Sequence, residues 1–257
     1  MTEPRVEIYD IMACNVYMDF ENSVLRKEQH KFLVAFYPTG GAPVPELIES
    51  ITAYGPDGYK VEIANQEFTP HNRNGWIYDR TTNGHWYMVN LDTGFMNEGN
   101  YTIEVKRKDG RTVSHSRRQN NAPGKHLVSA YTQLQEKITN SYAPGRAGEF
   151  NQGASLRQVP ITWSSLKTLG DVDAFYIFRL SEGRSGKEFN TQKLVWWDNI
   201  FVQRVGSPQA GLNRDRVVLG NELSPDKPYV YFVEITDGNK MGDTNICIFQ
   251  PHQTFHT

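Results

Sequence analysis

The chain has 257 residues, and its 27 basic and 29 acidic side chains nearly cancel. A balanced charge produces no strong positive electrostatic potential that would attract nucleic acid or an anionic membrane, so we expect neither as a partner. Apolar residues make up 38% of the chain beside 21 glycines and 13 prolines, which favours short strands joined by many turns. At about 150 residues per domain, two small cores are predicted.

No uninterrupted apolar segment approaches the roughly eighteen residues of a membrane helix, so no membrane insertion is expected. The first residues, MTEPRVEIYD, lack the regions of a signal peptide. A chain whose export signal had been removed would read the same way, which leaves the compartment open. Cys14 and Cys247 are predicted to be buried free thiols in different domains, with a disulfide or a metal pair as the alternative.

The first half of the chain contains seven runs in which side chains alternate with a period of two: 6–20, 32–37, 47–54, 59–63, 85–91, 101–105 and 111–116. Turn signals such as Gly55-Pro56-Asp57-Gly58 and Asp109-Gly110 separate them. This spacing predicts a β-sandwich over residues 1–119. The basic side chains that surround Asp109-Gly110 are interpreted as a solvated hairpin tip, with a polyanion site as the alternative.

The stretch GNYTIEVKRKDGRTVS resembles the closing hairpin of bacterial immunoglobulin-like domains, and the resemblance covers about residues 5–118. It implies that Tyr101, Ile103 and Val105 form the inward face of a strand.

Residues 120–154 break the strand pattern and are predicted to be a linker. Leu127, Tyr131, Leu134 and Ile138 form one apolar stripe at helical spacing, which predicts an amphipathic helix over about 125–142. A lone amphipathic helix is unstable in water, so we expect its stripe to dock on protein and to hold the two domains at a fixed angle. Docking of a partner is the alternative.

Residues 155–257 resemble the fibronectin type III fold. The motifs are VPITW at 159–163, with Trp163 as the core tryptophan, AFYIFRL at 174–180, and LSPDKPYVYFVEI at 223–235. The last motif implies a corner closed by the Tyr229 hydroxyl. The sequence departs from the family at 183–218, where an insertion containing LVWWDNIFVQRV replaces a shorter crossing region. Binding residues collect on loops carried by rigid scaffolds, so this insertion is the leading candidate site.

Within the insertion, Trp196 and Trp197 point to opposite faces if the segment is extended. A plug between the domains is the favoured interpretation. The alternative is an exposed tryptophan with Asp198 and Asn199 beside it, which is typical of a platform on which a sugar ring stacks.

A second aromatic cluster comprises Trp76, Tyr78, His85, Trp86 and Tyr87. On a hairpin, Trp76 and Tyr78 are expected to share one face. His85 and Tyr87 are expected to share another face, and Trp86 is expected to point away from them. Cross-strand packing and a ligand groove are the two interpretations.

The segment DGNKMGD offers Asp237, Asn239 and Asp243 as oxygen ligands for calcium, but it lacks the spacing of a calcium loop, which favours a plain turn. His252 and His256 lie in a tail that is expected to be frayed rather than metal-binding. No metal or cofactor is predicted.

No catalytic motif of the common hydrolase, metalloprotease or phosphate-binding kinds is present. The sequence therefore predicts an all-β chain of two β-sandwich domains, immunoglobulin-like and then fibronectin type III-like, joined by an amphipathic helix. Such tandem modules imply a non-enzymatic binding role on a bacterial surface or exported protein, with a protein or carbohydrate partner. A structural spacer in a larger assembly, or a hydrolase with a cleft between the domains, are the alternatives.

Overall fold

The computed structural model of the chain is mostly β, with 48% strand, 15% helix and several sheets. This confirms the prediction of a chain dominated by strands. No helix in the described part of the chain is long and apolar enough to cross a membrane. The residues described are 5–20, 24–69, 71–79, 83–144, 148–149, 155–183, 188–190, 193–197, 211–238 and 245–257.

The chain divides into two compact units. The first comprises Met1–Val16 and Leu25–Asn121, and the second comprises Tyr17–Val24 and Ala122–Thr257. Contacts inside the second unit explain why it includes a segment from the start of the chain. The Asp19 amide donates a hydrogen bond to the Phe249 carbonyl at 2.9 Å, and the Phe20 ring packs edge-on against Phe249.

The first unit forms two sheets. Its elements are β1 (Ile8–Met18, whose last two residues belong to the second unit), β2 (Glu28–Phe36), α1 (Val44–Leu47), β3 (Ile48–Tyr54), a 3-10 turn (Pro56–Gly58), β4 (Lys60–Ile63), β5 (Asn74–Asp79), β6 (Gly84–Leu91), β7 (Gly99–Arg107) and β8 (Thr112–Gln119). One sheet has the order β1-β2-β6-β5, and the other has the order β4-β3-β7-β8.

Both sheets of the first unit contribute to one hydrophobic core. Because side chains alternate along a strand, every second residue of β2 and of β7 points into the same space. Phe32 and Val34 enter it from β2, and Tyr101, Ile103 and Val105 enter it from β7. The prediction that these three β7 residues form an inward face is confirmed.

The basic residues of the β7–β8 hairpin lie among acidic ones. Arg107 pairs with Asp109 at 2.7 Å, and Arg118 pairs with Glu98 at 2.8 Å. Lys106 is likewise 2.7 Å from a carboxylate. The hairpin therefore presents alternating charges rather than a patch of one sign.

The second unit is built on a central strand. Its elements are α2 (Asn121–Thr139, beginning at the last residue of the first unit), β9 (Gly148–Glu149), β10 (Pro160–Thr162), α3 (Leu166–Gly170), β11 (Phe175–Glu182), β12 (Leu194–Trp197), β13 (Gly211–Leu212), β14 (Arg216–Val218), β15 (Pro228–Thr236), β16 (Ile246–Phe249) and β17 (Gln253–His256). The main sheet has the order β12-β11-β15-β16, β17 also pairs with β15, and β10 and β14 form a separate two-stranded sheet.

Trp163 is a core residue of the second unit, as predicted. Its side chain is buried, and its ring is stacked on Phe178 of β11 with centroids 6.0 Å apart. The indole N–H donates to the Arg214 carbonyl at 2.8 Å. A buried indole usually finds such a partner, because its N–H would otherwise lose its bond to water.

The corner predicted at Tyr229 is confirmed. The Ser224 amide donates a hydrogen bond to the Tyr229 hydroxyl at 2.9 Å, which ties the turn before β15 to the strand itself. The Tyr229 ring is buried and stacks on Phe255 at 5.3 Å.

The expectation of a frayed tail is wrong. Residues 253–256 form β17, in which Phe255 lies opposite Tyr229 of β15 in antiparallel register. Phe255 and Gln253 are both buried. The segment is only four residues long and three of them are polar, so its own pattern is weak, whereas the open edge of β15 supplies the backbone partners that order it.

Helix α2 packs on the second unit. Leu127, Tyr131 and Ile138 are buried, and the Tyr131 hydroxyl donates to Asp19 Oδ2 at 2.7 Å. The Leu134 side chain lies so close to Gly170 that a Cβ built there would be 2.8 Å from Leu134 Cδ1. The stripe is thus docked on protein, as predicted.

His252 lies in an aromatic cluster of the second unit. Its ring is 4.4 Å from the Phe20 ring, 5.4 Å from the Phe232 ring and 6.1 Å from the Phe189 ring, centroid to centroid. Burial among these apolar rings disfavours the charged imidazolium and lowers the pKa of His252 to about 4.

We expect Tyr229→Phe to lower the free energy of unfolding by about 1 kcal/mol, because the Ser224 amide loses its partner. Chemical denaturation measures this. Tyr54→Phe is the matched control, since Tyr54 is 39% exposed, and it should leave the midpoint unchanged. Equal midpoints for Tyr229→Phe and the unaltered chain would contradict the corner assignment.

Leu134→Asp should destabilise the chain by about 2 kcal/mol or more, because it replaces a packed apolar side chain with a charge. Gln133→Asp adds the same charge one residue earlier, on an exposed position of α2, and should have little effect. Thermal unfolding compares the two. Similar midpoints for both variants would mean that the helix is not held by its stripe.

Stability should also depend on the protonation of His252. Because its pKa is lowered in the folded chain, its contribution is complete above the ordinary value of 6.5 and is lost as the pH falls toward about 4. The loss is at most on the order of 3 kcal/mol. The free energy of unfolding of His252→Phe should therefore fall less over this range. An imidazole that titrates near 6.5 by NMR would contradict this prediction.

Candidate functional site

The described part of the segment LVWWDNIFVQRV in the insertion is strand β12, at the edge of the main sheet of the second unit. It pairs antiparallel with β11, so that Trp196 lies opposite Leu180 and Trp197 lies opposite Arg179. Because successive residues of a strand alternate, Trp196 shares the face of the buried Leu180. Trp196 and Trp197 thus lie in an extended strand, the condition on which the predicted alternation depends.

Trp196 is half-buried. Its ring lies against Gly220, where a Cβ would be 3.7 Å from Trp196 Cζ3, an ordinary van der Waals distance. The side chain of Trp197, and Asp198 and Asn199 as a whole, fall outside the described residues.

An open cleft of about 680 Å³ adjoins this contact, and its lining is Ser155, Arg157, Gln158, Gly220 and Glu222. All five lining residues are exposed. Arg157 Nε is 3.0 Å from Glu222 Oε2, an ion pair that joins the two segments forming the walls. The Asn221 side-chain amide donates to the Val195 carbonyl at 3.2 Å, which ties the Gly220 wall to β12.

Sequence reasoning missed the polar residues of this cleft. They come from two loops, before β10 and after β14, that are far apart in the chain. Single polar residues in loops have no periodicity that would mark them. Only the aromatic insertion carried a signal, and Trp196 is the one of its proposed residues whose described side chain reaches the cleft wall.

The lining determines what the cleft can do chemically. Serine, glutamine, arginine and glutamate supply several donors and acceptors in a small space. Its described lining holds one carboxylate, whereas the usual glycosidase mechanism uses two that flank the scissile bond. The described lining thus fits hydrogen bonding to a polar ligand better than acid–base catalysis.

The aromatic cluster of the first unit lies on β5 and β6. Trp76 lies opposite Tyr87, and Tyr78 lies opposite His85, so these four side chains share one face of the hairpin. The expected separation of His85 and Tyr87 from Trp76 and Tyr78 is therefore wrong. The spacing predicts which residues share a face within each strand. The register between the strands, which decides which of these faces coincide, is a tertiary property. Ile77 and Trp86 lie opposite each other on the other face.

The four rings run from the core to the surface. Tyr87 is fully buried beside Phe36, and burial raises its pKa. The His85 ring is 5.5 Å from Trp76 and 5.1 Å from Tyr78, and burial lowers its pKa. Trp76 is half-buried, and Tyr78 is 43% exposed. The arrangement is the outer rim of a core held by cross-strand packing, and only Tyr78 offers much surface to a ligand.

Asp237 is engaged by its own loop. Its Oδ1 accepts hydrogen bonds from the amides of Asn245 and Ile246, and its Oδ2 accepts one from the Asn245 side chain. Burial raises the pKa of Asp237, and these hydrogen bonds oppose that shift. The other two candidate ligands, Asn239 and Asp243, lie outside the described residues. No group of three or more histidine, cysteine, aspartate or glutamate side chains in the described ranges could hold a metal ion.

Cys14 and Cys247 are both buried, and neither forms a disulfide, as predicted. Cys14 belongs to the first unit and Cys247 to the second.

No protein-family model and no curated protein matches the chain. Among solved structures, Tp47, the 47-kilodalton lipoprotein of Treponema pallidum, is 12% identical with a TM-score of 0.34; the match covers 96% of this chain and 52% of Tp47. This chain thus spans about half the length of Tp47. A chain of a cytokine receptor complex is 12% identical with a TM-score of 0.27, covering 96% of this chain and 95% of that one. The fibronectin(III)-like modules of CbhA from Clostridium thermocellum are 9% identical with a TM-score of 0.22, covering 96% and 94%. TM-scores this low establish neither the family of this chain nor its function.

Proposed function

We propose that this chain is a non-enzymatic binding module that recognises a glycan through β12 and the adjoining cleft of the second unit. The observation that carries the proposal is the half-buried Trp196 ring against Gly220, at the wall of an open cleft with a polar lining. An indole face and clustered polar groups are the two elements that a sugar ring requires, since its C–H face is apolar and its hydroxyls need partners.

The proposal includes the architecture expected from the sequence, with an immunoglobulin-like sandwich followed by a fibronectin type III-like sandwich. Two sheets around one core support the first assignment. The corner at Tyr229 and the buried Trp163 against β11 support the second. A packed core of this kind suits a site that is carried on loops and an edge strand, because the core holds them in place.

The size and polarity of the cleft favour a glycan over a protein partner. A volume of about 680 Å³ is within the usual range for small-ligand sites, roughly 300–1,000 Å³. The core of a protein interface is depleted in charged residues, whereas this cleft has Arg157 and Glu222 in its lining. A pure spacer should bury both tryptophans of β12 completely, and Trp196 is only half-buried.

The test begins with a glycan array probed with the whole chain, followed by calorimetric titration of the best glycan. Trp196→Ala should weaken binding about tenfold or more, a loss of ~1.4 kcal/mol, because the stacking face is removed. Trp86→Ala is the matched control, since it removes a half-buried tryptophan from the first unit and should leave affinity unchanged.

Substitution at Gly220 tests the cleft without removing a contact. Among the described residues, only Trp196 has an atom within 4 Å of a Cβ at this position, so Gly220→Ala should be tolerated in fold and binding. The larger Gly220→Leu should fill the cleft and abolish binding. Circular dichroism confirms that both variants fold. Absence of any bound glycan, or unchanged affinity in Gly220→Leu, would refute the proposal.

A further inference from the structure

The chain contains two asparagine–glycine pairs, Asn74-Gly75 and Asn83-Gly84, both on the β5–β6 hairpin. Asparagine before glycine is prone to deamidation, because glycine has no side chain to shield its backbone nitrogen. That nitrogen attacks the side-chain carbonyl carbon of the asparagine. The reaction requires the asparagine side chain and the following peptide unit to turn toward each other, so local structure decides which pair reacts.

Asn74 is held on every side. Its Oδ1 accepts from the Ala64 amide at 2.8 Å, and its Nδ2 donates to the Glu62 carbonyl at 3.1 Å. The next residue, Gly75, is packed so tightly that a Cβ would be 2.3 Å from the Gln66 carbonyl oxygen. Rotation of the Asn74 side chain toward Gly75 would break both hydrogen bonds beside a tightly packed residue.

Asn83 differs from Asn74 in its exposure and in its hydrogen bonds. It is exposed, it precedes the first residue of β6, and its backbone has a φ of 52°. The Tyr78 hydroxyl donates a hydrogen bond to its Oδ1 at 2.5 Å. This bond leaves the amide nitrogen, which is the leaving group, pointing away from Tyr78. It also places a donor on the oxygen that gains negative charge during the attack.

We propose that Asn83 is a site of spontaneous deamidation, promoted by Tyr78, and that Asn74 is protected by the fold. A bond forms between the Gly84 backbone nitrogen and the Asn83 side-chain carbonyl carbon, and the bond from that carbon to the amide nitrogen breaks. Ammonia leaves with the proton lost from Gly84. Water then opens the resulting five-membered imide at either carbonyl, which leaves aspartate or isoaspartate at position 83.

Tyr78 acts by stabilising the oxyanion of the tetrahedral intermediate, as a donor directed at developing charge does in general. The effect is smaller than in an enzyme, because Tyr78 is 43% exposed and water competes for the same oxygen. The product carboxylate would then face the Tyr78 hydroxyl at the outer end of the aromatic rim.

The experiment ages the full folded chain in mildly alkaline buffer and follows both sites by peptide mapping with mass spectrometry, with isoaspartyl methyltransferase labelling as a second readout. Deamidation should be at least tenfold faster at Asn83 than at Asn74, since two hydrogen bonds must break at Asn74 first. In denaturant the two rates should converge, because the protection of Asn74 is structural. Equal rates in the folded chain, or a faster reaction at Asn74, would overturn the proposal.

Two variants separate the roles. Asn83→Gln should show no product at position 83 and an unchanged rate at Asn74, because the longer side chain forms its imide poorly. Tyr78→Phe should slow the reaction at Asn83 several-fold and leave Asn74 unaffected. Tyr54→Phe, which removes another exposed hydroxyl, is its matched control. A rate at Asn83 that is unchanged or faster in Tyr78→Phe would refute the promoting role of Tyr78.

Discussion

The burial of β15 on both faces is the constraint on which the second unit depends. Its residues from Tyr229 to Thr236 are all buried, so each face needs a cover and each polar group needs a partner. The strictest demand comes from Glu234, a carboxylate that is 1% exposed. Arg179 of β11 forms an ion pair with it, and the Arg179 guanidinium lies 5.4 Å from the centroid of the Phe232 ring. Removing either partner would leave an uncompensated buried charge, which is strongly destabilising.

The position of the candidate site follows from the same strand. β11 pairs with β15 along one edge and with β12 along the other, so the register of β15 determines where Trp196 lies. The Asn221 amide then attaches the loop after β14 to β12, and Gly220 leaves room for the indole. A rigid central sheet thus positions an edge strand and two loops, the parts of a β-fold whose sequence can change without loss of the core.

The first unit satisfies its buried polar groups in a different way. Asn15 is buried, with its Oδ1 accepting from the Met96 amide and its Nδ2 donating to Asn121 Oδ1. The Asn121 side chain in turn donates to the Met96 carbonyl, which closes a ring of amides. Neutral amides avoid the cost of burying charge, and they orient the loop before β7 through hydrogen bonds with fixed directions.

Local pattern was sufficient for the elements whose signal lies within a few residues. The resemblance of the stretch GNYTIEVKRKDGRTVS to an immunoglobulin-like closing hairpin implied the inward face of Tyr101, Ile103 and Val105, and the 3.6-residue period predicted the stripe of α2. Pro228 and Tyr229 at the start of β15 predicted the corner, because a turn and the strand that follows it are adjacent in the chain. Of the candidate site, the same reasoning could identify Trp196 as an aromatic residue of an unusual insertion.

The features that depend on contacts between segments distant in the chain were decided by the tertiary structure alone. The register of β5 on β6 places Trp76, Tyr78, His85 and Tyr87 on one face, and a one-residue slip would reverse that result. The edge of β15 orders a polar tail as β17, and Tyr17–Val24 joins the second unit through contacts with residues more than two hundred positions later. The cleft beside Trp196 combines two distant polar loops. Sequence periodicity records the exposure of each residue within its own element, whereas pairing between elements depends on the free energy of the whole packed unit.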